Sequence, residues 1–422
     1  MKEFEKYPLT LEETKKIAQE YSTPFHIYFE EGIIKNAQRL KNAFAWNKGF
    51  KEFFAVKACP NPHILSLLKK QGFGTDCSSM PELIMSEKVG VVGEGIMFSS
   101  NDTPSEEFVK ARELGAIINL DDFTHIDFLE KALGGKMPEL ISFRYNPGPL
   151  RKTIEGNVIG NPEDAKYGLT KEQLFEGYKI CKEKGVTRFG LHTMVVSNEL
   201  KVDNLVMTAQ MLFELAVELK EKLGINLEFV NVGGGIGVAY KPEQTPVNLE
   251  GLSSKIKEKY DSIVVPAGIG ELKLYMENGR FITGPYDFLV SRVRHQKHIY
   301  KEYIGLDACM ANLMRPALYG AYHHITLIGK ENLPADHKYD ITGSLCENND
   351  KFAIDRMFPK ISIGDYVAIH DAGAHGYAMG FNYNGKLRSA ELLYKQNGEI
   401  KLIRRAENID DYFATLNFDE VE

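Results

Sequence analysis

Eight short β-type runs separated by helical stretches fill the first two thirds of the chain, and they constrain its fold more than any other feature. The runs are Phe53–Ala58, Gly74–Ser78, Gly95–Ser99, Ala116–Leu120, Leu140–Tyr145, Arg188–Thr193, Leu227–Val232 and Leu272–Met276. Between them lie segments such as Glu82–Lys88, Ser105–Leu114 and Asp203–Leu223, which are apolar at i, i+3 and i+4 and so read as helices packing one face inward. Strands that alternate with helices in this number predict an α/β fold with a (β/α)8 barrel rather than an open sheet. After Pro285 the texture changes. Asp287–Val293, His323–Ile328, Tyr366–His370 and Leu392–Tyr394 look like strands set between Gly, Asn and Asp, and Thr23–Phe29 reads as a strand that joins them. The expected organisation is a barrel over residues 30–284 and a β-rich domain built from residues 1–29 and 285–422.

Composition narrows the function classes. Hydrophobic residues make up 43% of the 422 and charged residues 26%, enough apolar material for a folded core. The net charge is -7 and no Lys/Arg-rich run occurs, so a nucleic-acid partner is not expected. The five cysteines, Cys59, Cys77, Cys181, Cys309 and Cys346, are odd in number and include no C-x-x-C pair. That argues against a disulfide framework or zinc ribbon and for a reducing compartment. The start, MKEFEKYPLTLEETKK, is charged, and no long apolar stretch follows, so a cytoplasmic protein with no membrane span is expected. His295 and His298 in HQKH, and the pair His323–His324, have no carboxylate at a spacing that suggests a metal site, and no metal is expected.

Three features of the barrel segment bear on chemistry. Lys57 ends the apolar run FFAVK, where lost hydration would favour the neutral amine a Schiff base needs. A lysine snorkelling at a strand end is the blander reading. Gly233-Gly234-Gly235 follows the seventh run, and glycines let backbone N–H groups approach a phosphate; a turn needs them equally. Glu277-Asn278-Gly279-Arg280 follows the eighth run. Barrels build active sites at the C-terminal ends of their strands and often bind phosphate after strands seven and eight. A lysine, a phosphate cradle and a carboxylate for a pyridinium nitrogen outline a site for pyridoxal 5'-phosphate. The β-rich region adds Gly343-Ser-Leu-Cys346-Glu347 and Asp371-Ala-Gly-Ala-His375-Gly, each of which could be a functional loop or a turn.

Ordered motifs along nearly the whole chain carry a family resemblance: AVKA at Lys57, GTDCSSMPEL with Asp76 and Glu82, RYNPG with Arg144, VGGGIG, ENGR, MRPALYGAYH, GSLCEN and DAGAHG. The sequence resembles the pyridoxal-phosphate-dependent diaminopimelate decarboxylases, relatives of the ornithine decarboxylases. The resemblance implies an alanine-racemase-like barrel with a β-rich domain. It implies that Lys57 holds the cofactor covalently, that Ser197, Gly235, Gly279, Arg280 and His375 bind its phosphate, and that Glu277 faces its ring nitrogen. Arg280, Arg315, Tyr319 and Glu347 would recognise the substrate. Cys346 would donate a proton from the partner subunit of a homodimer. The family segment HCHIGSQ is His192-Thr-Met194-Val-Val-Ser197-Asn198 here, so Met194 stands where the family stacks a histidine on the ring. Asn278 replaces a proline, Asn348 a serine, and His375 a tyrosine of the family pattern.

The reaction expected is decarboxylation of meso-2,6-diaminopimelate to L-lysine and CO2, in lysine biosynthesis. D-lysine, D-ornithine or carboxynorspermidine are alternative substrates. A non-catalytic regulatory homologue is the reading from another class, and retention of Lys57, Glu277 and Cys346 argues against it.

Overall fold

The computed structural model describes residues 6–150, 161–419 and 421. The chain divides into two compact units, one of Ile34–Ala239 with Thr245–Ile282 and one of Met1–Ile33 with Tyr240–Gln244 and Thr283–Glu422.

Strand β1 (Phe25–Phe29) belongs to the second of these. The first holds β2 (Lys51–Ala55), β3 (Gly74–Cys77), β4 (Ile96–Ser99), β5 (Ile117–Leu120), β6 (Leu140–Arg144), β7 (Arg188–His192), β8 (Phe229–Asn231) and β9 (Lys273–Met276). These eight parallel strands pair in chain order, and β9 returns to β2 to close the barrel. The helices between them follow the apolar spacing of the sequence. Val202–Leu223 buries Leu205, Ala209, Leu212, Phe213, Ala216 and Leu219 along one stripe and ends at Gly224, which takes the left-handed backbone that stops a helix.

Side chains alternate across a strand, so every second residue points into the barrel. Phe53, Met97, Ile117, Leu140, Phe229 and Tyr275 form an apolar floor, with Tyr275 stacked on Phe229 at 4.5 Å. The other two strands contribute Gly74 and Gly190 at the corresponding alternation. A Cβ at Gly74 would lie 2.4 Å from the Gly95 carbonyl oxygen and 2.7 Å from the Phe53 ring, and one at Gly190 would overlap the Phe229 ring. Glycine is required here by close approach, because that carbonyl and the two rings occupy the space a side chain would need.

The second unit is all but free of helix in its C-terminal part. Among the described residues its sheet has nine strands: β1, β10 (Asp287–His298), β11 (Glu302–Leu306), β12 (Ile325–Leu327), β13 (His337–Thr342), β14 (Lys351–Phe358), β15 (Tyr366–Ile369), β16 (Ala390–Tyr394) and β17 (Ile400–Arg404). The N-terminal strand joins this sheet, as its sequence suggested, antiparallel to β10 and parallel to β16. Strand β10 pairs with β1 and β15 in its first half and with β11 in its second, bending at an irregularity between Val293 and His295. The β10–β11 pairing sets His298 opposite Glu302, and their exposed side chains are hydrogen-bonded. Among the described residues no cluster of three or more His, Cys, Asp or Glu could hold a metal ion, and no helix is long and apolar enough to cross a membrane.

The floor yields a direct test. Gly190→Ala should destabilise the protein by roughly 1–3 kcal/mol in urea denaturation, although alanine is the better strand residue, because the new methyl must displace Phe229. Wild-type stability would mean that the ring has room to move.

Candidate active site at the C-terminal end of the barrel

One alternation above the floor, each strand turns polar or small. The inward positions two residues on are Ala55, Asp76, Ser99, Asn119, Ser142, His192, Asn231 and Glu277. Asp76, Asn119, Ser142, His192, Asn231 and Glu277 are all buried, and buried polar groups must be paired or carry a penalty. Most of them pair with one another. Asn119 Nδ2 donates to Ser99 Oγ at 3.3 Å and to His192 Nδ1 at 3.1 Å. With Nδ1 accepting, the ring proton sits on Nε2, which donates to Glu277 Oε2 at 2.9 Å. Asn231 Nδ2 donates to the other carboxyl oxygen, Oε1, at 2.7 Å.

This network fixes the charge on Glu277. Burial would push its carboxyl up, but hydrogen-bonded His192, the Lys57 ammonium and the Asn231 hydrogen bond together hold it below the usual carboxylate range. Asp76 goes the other way. Burial pushes its carboxyl well above the usual range and the Glu277 charge adds to this, against the attraction of Lys57 and Arg144. Its Oδ1 is buried without a hydrogen-bond partner. The two carboxyls are therefore pushed in opposite directions, the kind of separation by which one pocket supports both acid and base roles.

Lys57 is not where the sequence put it. Strand β2 stops at Ala55, and Val56–Ala58 form a single 3-10 turn that presents Lys57 with its side chain exposed. Burial by protein therefore does not strip its hydration. Its charge nevertheless acts on Asp76, Glu82 and Glu277.

The loops after β7, β8 and β9 lie against one another. Glu199 N–H donates to the Gly235 carbonyl at 2.8 Å, Gly237 N–H to the Glu199 carbonyl at 2.9 Å, and Val238 N–H to Asn198 Oδ1 at 2.9 Å. Ser197, half-buried, is thereby held in the segment alongside Gly235. The three glycines owe their place to this contact. Cβ atoms at Gly233, Gly234 and Gly235 would collide with the carbonyl oxygens of Thr193, Glu277 and Val196, and Gly233 and Gly235 have φ of +70° and +101°. Two of their amides are used internally, Gly233 N–H by Asn231 Oδ1 at 2.9 Å and Gly234 N–H by the Met194 sulfur at 3.3 Å. Met194 thus turns its thioether to the glycine loop. Gly279 sits against the lysine turn, with a Cβ there only 2.5 Å from the Ala58 Cβ, and half-buried Arg280 follows it. Lys57, Ser197, Gly235, Glu277, Gly279 and Arg280 accordingly all lie on the loops at one end of the barrel.

The remaining expected residues lie in the second unit. Arg315 and Tyr319 bound one short helix; Tyr319 is exposed, while Arg315 is buried, gives Nη1 to His323 Nε2 at 2.9 Å and lies over the Tyr240 ring. Cys346 is exposed and Glu347 half-buried, on a loop tied down by Asp350. Asp350 accepts the Met310 N–H at 2.6 Å and the Leu345 N–H at 2.9 Å, and Cys346 N–H donates to Asn384 Oδ1 at 2.7 Å. His375 is half-buried with φ +56°. Sequence reading gave no role to Asn119, Asn231 or Glu52 and none to His192 beyond a motif match. Asn119, Asn231 and His192 each stand two residues beyond an inward apolar residue or glycine, and that was the available signal.

Comparison with known proteins adds the following. The family profile described as "Pyridoxal-dependent decarboxylase, pyridoxal binding domain" matches residues 30–284. Protein TabA of Pseudomonas amygdali pv. tabaci is 40% identical over 408 residues, 96% of this chain and 94% of that protein. The diaminopimelate decarboxylase of Methanothermobacter thermautotrophicus is 32% identical over 405 residues, 95% of this chain and 93% of its own. Among solved structures, the diaminopimelate decarboxylase of Helicobacter pylori complexed with L-lysine aligns with a TM-score of 0.86 at 29% identity, covering 95% of this chain and 98% of that one.

Asp76 offers a pH test with a defined sign. A carboxyl raised on folding keeps its proton longer in the folded state, so stability falls as pH climbs from the unfolded carboxylate range of about 4 through the raised value. Asp76→Asn removes that loss. Its thermal midpoint should exceed the wild-type value at pH 7 to 8, with the gap closing toward pH about 4. A gap that widens on acidification would show Asp76 to be ionised.

Proposed function

The chain belongs to the pyridoxal-dependent decarboxylase family, with pyridoxal 5'-phosphate as its cofactor, and from that premise we propose that it converts meso-2,6-diaminopimelate to L-lysine and CO2. The observation that carries the substrate is the similarity along more than nine tenths of the chain to proteins named diaminopimelate decarboxylase.

The residues present fit the cofactor. An exposed lysine follows one barrel strand, a carboxyl held below its usual range follows another, and glycine backbone, a serine and an arginine lie on the neighbouring loops. When bound, the cofactor supplies an electron sink for the charge left on carbon as CO2 departs. In this reading Lys57 anchors the cofactor covalently through Nζ. Glu277 faces the ring nitrogen, and its negative charge, secured by His192 and Asn231, favours a proton there. Ser197, Gly235, Gly279, Arg280 and His375 take the phosphate. Arg280, Arg315, Tyr319 and Glu347 take the substrate's remote groups; a guanidinium selects a second carboxylate, because a desolvated guanidinium facing a neutral group is disfavoured. Cys346 donates the proton that replaces CO2, from the partner chain of a homodimer.

Two experiments test this. Purified protein offered meso-diaminopimelate, D-lysine, D-ornithine and carboxynorspermidine in parallel should release CO2 fastest, by kcat/KM, from the first. Preference for a monocarboxylate would reassign the substrate and leave the chemistry standing. For the shared site, Lys57→Ala and Cys346→Ala proteins, each inactive, should recover activity when their chains exchange. Random mixing gives about half heterodimers, each with one intact site, so roughly a quarter of wild-type activity should return. No recovery after verified exchange would mean either that Lys57 and Cys346 act within one chain or that the dimer reading is wrong.

A further inference from the structure

The barrel closes where β9 meets β2, and this seam separates the two parts of the site that must stay in register. Strand β2 runs directly into the Lys57 turn, and β9 runs directly into Glu277, Asn278, Gly279 and Arg280. Among the described residues the backbone register of the seam comprises Lys51↔Tyr275 and Glu52↔Met276. Beyond it a side chain takes over. The backbone N–H of Asn278 donates to Glu52 Oε1, and Asn278 Nδ2 donates to Glu52 Oε2 at 3.1 Å. The same Asn278 accepts, through Oδ1, the Ile236 N–H of the glycine loop at 3.4 Å. Glu52 and Asn278 are 1% and 2% exposed, so neither is there for solubility.

Burial of a carboxyl facing an amide rather than a cation is unfavourable unless its hydrogen bonds are made. Here both oxygens are engaged by one residue, and that residue sits between Glu277 and Gly279. Burial pushes the Glu52 carboxyl well above its usual range; the two Asn278 hydrogen bonds oppose this, and the charges of Glu277 and Asp76 add to it. With both oxygens accepting from one loop residue, the Glu52 side chain acts through its geometry. Proline at position 278 could supply neither donor.

We propose that Glu52 and Asn278 form a positioning pair that completes the barrel seam and sets Glu277 and the Gly279–Arg280 backbone at their working distance from Lys57. The pair touches neither cofactor nor substrate in this account and acts through the loop it holds. The proposal rests on the roles given above to Lys57 and Glu277.

The test uses the holoenzyme and four variants: Glu52→Ala, Glu52→Gln, Asn278→Ala and the double alanine variant. Three quantities are read: the dissociation constant for pyridoxal 5'-phosphate, the pH midpoint of the bound cofactor's absorbance change, and the thermal midpoint of the cofactor-free protein. Glu52→Ala should weaken cofactor binding about tenfold to a hundredfold, the effect of losing two buried hydrogen bonds, and should move the absorbance midpoint. Glu52→Gln, which keeps an acceptor for the backbone N–H, should stay within about threefold of wild type. Asn278→Ala, which also keeps that backbone bond, should fall between them, and the double variant should be no worse than Glu52→Ala. Wild-type cofactor affinity and absorbance in Glu52→Ala, even with a lowered thermal midpoint, would overturn the pair as a positioning device, as would additive losses. If Glu52→Ala does not fold, Glu52→Gln losing as much affinity as Asn278→Ala is the overturning result. Borohydride reduction of the wild-type holoenzyme is the control: label on a lysine other than Lys57 sinks the assignment of Lys57 itself, whereas correct label with unaffected variants sinks the pair alone.

Discussion

A buried carboxyl held below the usual range sets the terms for the barrel. Glu277 lies within the protein, where a lone negative charge would be driven to take up a proton. It avoids this because the Nε2 proton of His192 occupies one of its oxygens and the Asn231 amide the other. That arrangement requires polar side chains pointing inward from strands otherwise built of Phe, Ile, Leu and Val. Most of them are linked to one another, from Ser99 through Asn119 and His192 to Glu277, while Asn119 Oδ1, Ser142 Oγ and Asp76 Oδ1 are buried without a hydrogen-bond partner. Below them the aromatic floor of Phe53, Phe229 and Tyr275 closes the bottom of the barrel. Above them the loops are free to carry chemistry.

Much of this architecture was legible in the amino-acid order, and the exceptions have physical reasons. The barrel strands start and stop close to where apolar runs start and stop, since each is buried on both faces. The run FFAVKA misled, because nothing in its composition separates a buried strand from a buried turn, and the chain leaves the sheet after Ala55. Strands β11, β13, β14 and β17 went unseen for the opposite reason. Sequences such as EYIGL, HKYDIT and KFAIDRMF bury fewer than all their residues, and their polar members break the β pattern.

Within the site, residues named by a motif and residues named by geometry form different sets. Lys57, Glu277 and Gly279 stand in recognisable strings. Asn119 and Asn231 stand alone in IINL and FVN, where a single polar residue reads as an imperfection. Their function is visible only once eight strands are aligned, because it belongs to a layer of the barrel. Glu52 is the sharpest case: beside Lys51 it reads as the charged, solvated start of a strand, yet it is among the most deeply buried carboxyls in the protein.

The same seam has a kinetic side. Neighbouring strands elsewhere in the barrel are joined by one helix-containing connection, so their pairing closes a short loop of chain. The β2–β9 contact joins the first strand of the barrel to the last, and its chain-closure entropy is the largest of the eight. A contact of that range is expected to form after the shorter-range pairings, and the Lys57 turn and the Glu277 loop come side by side only when it does.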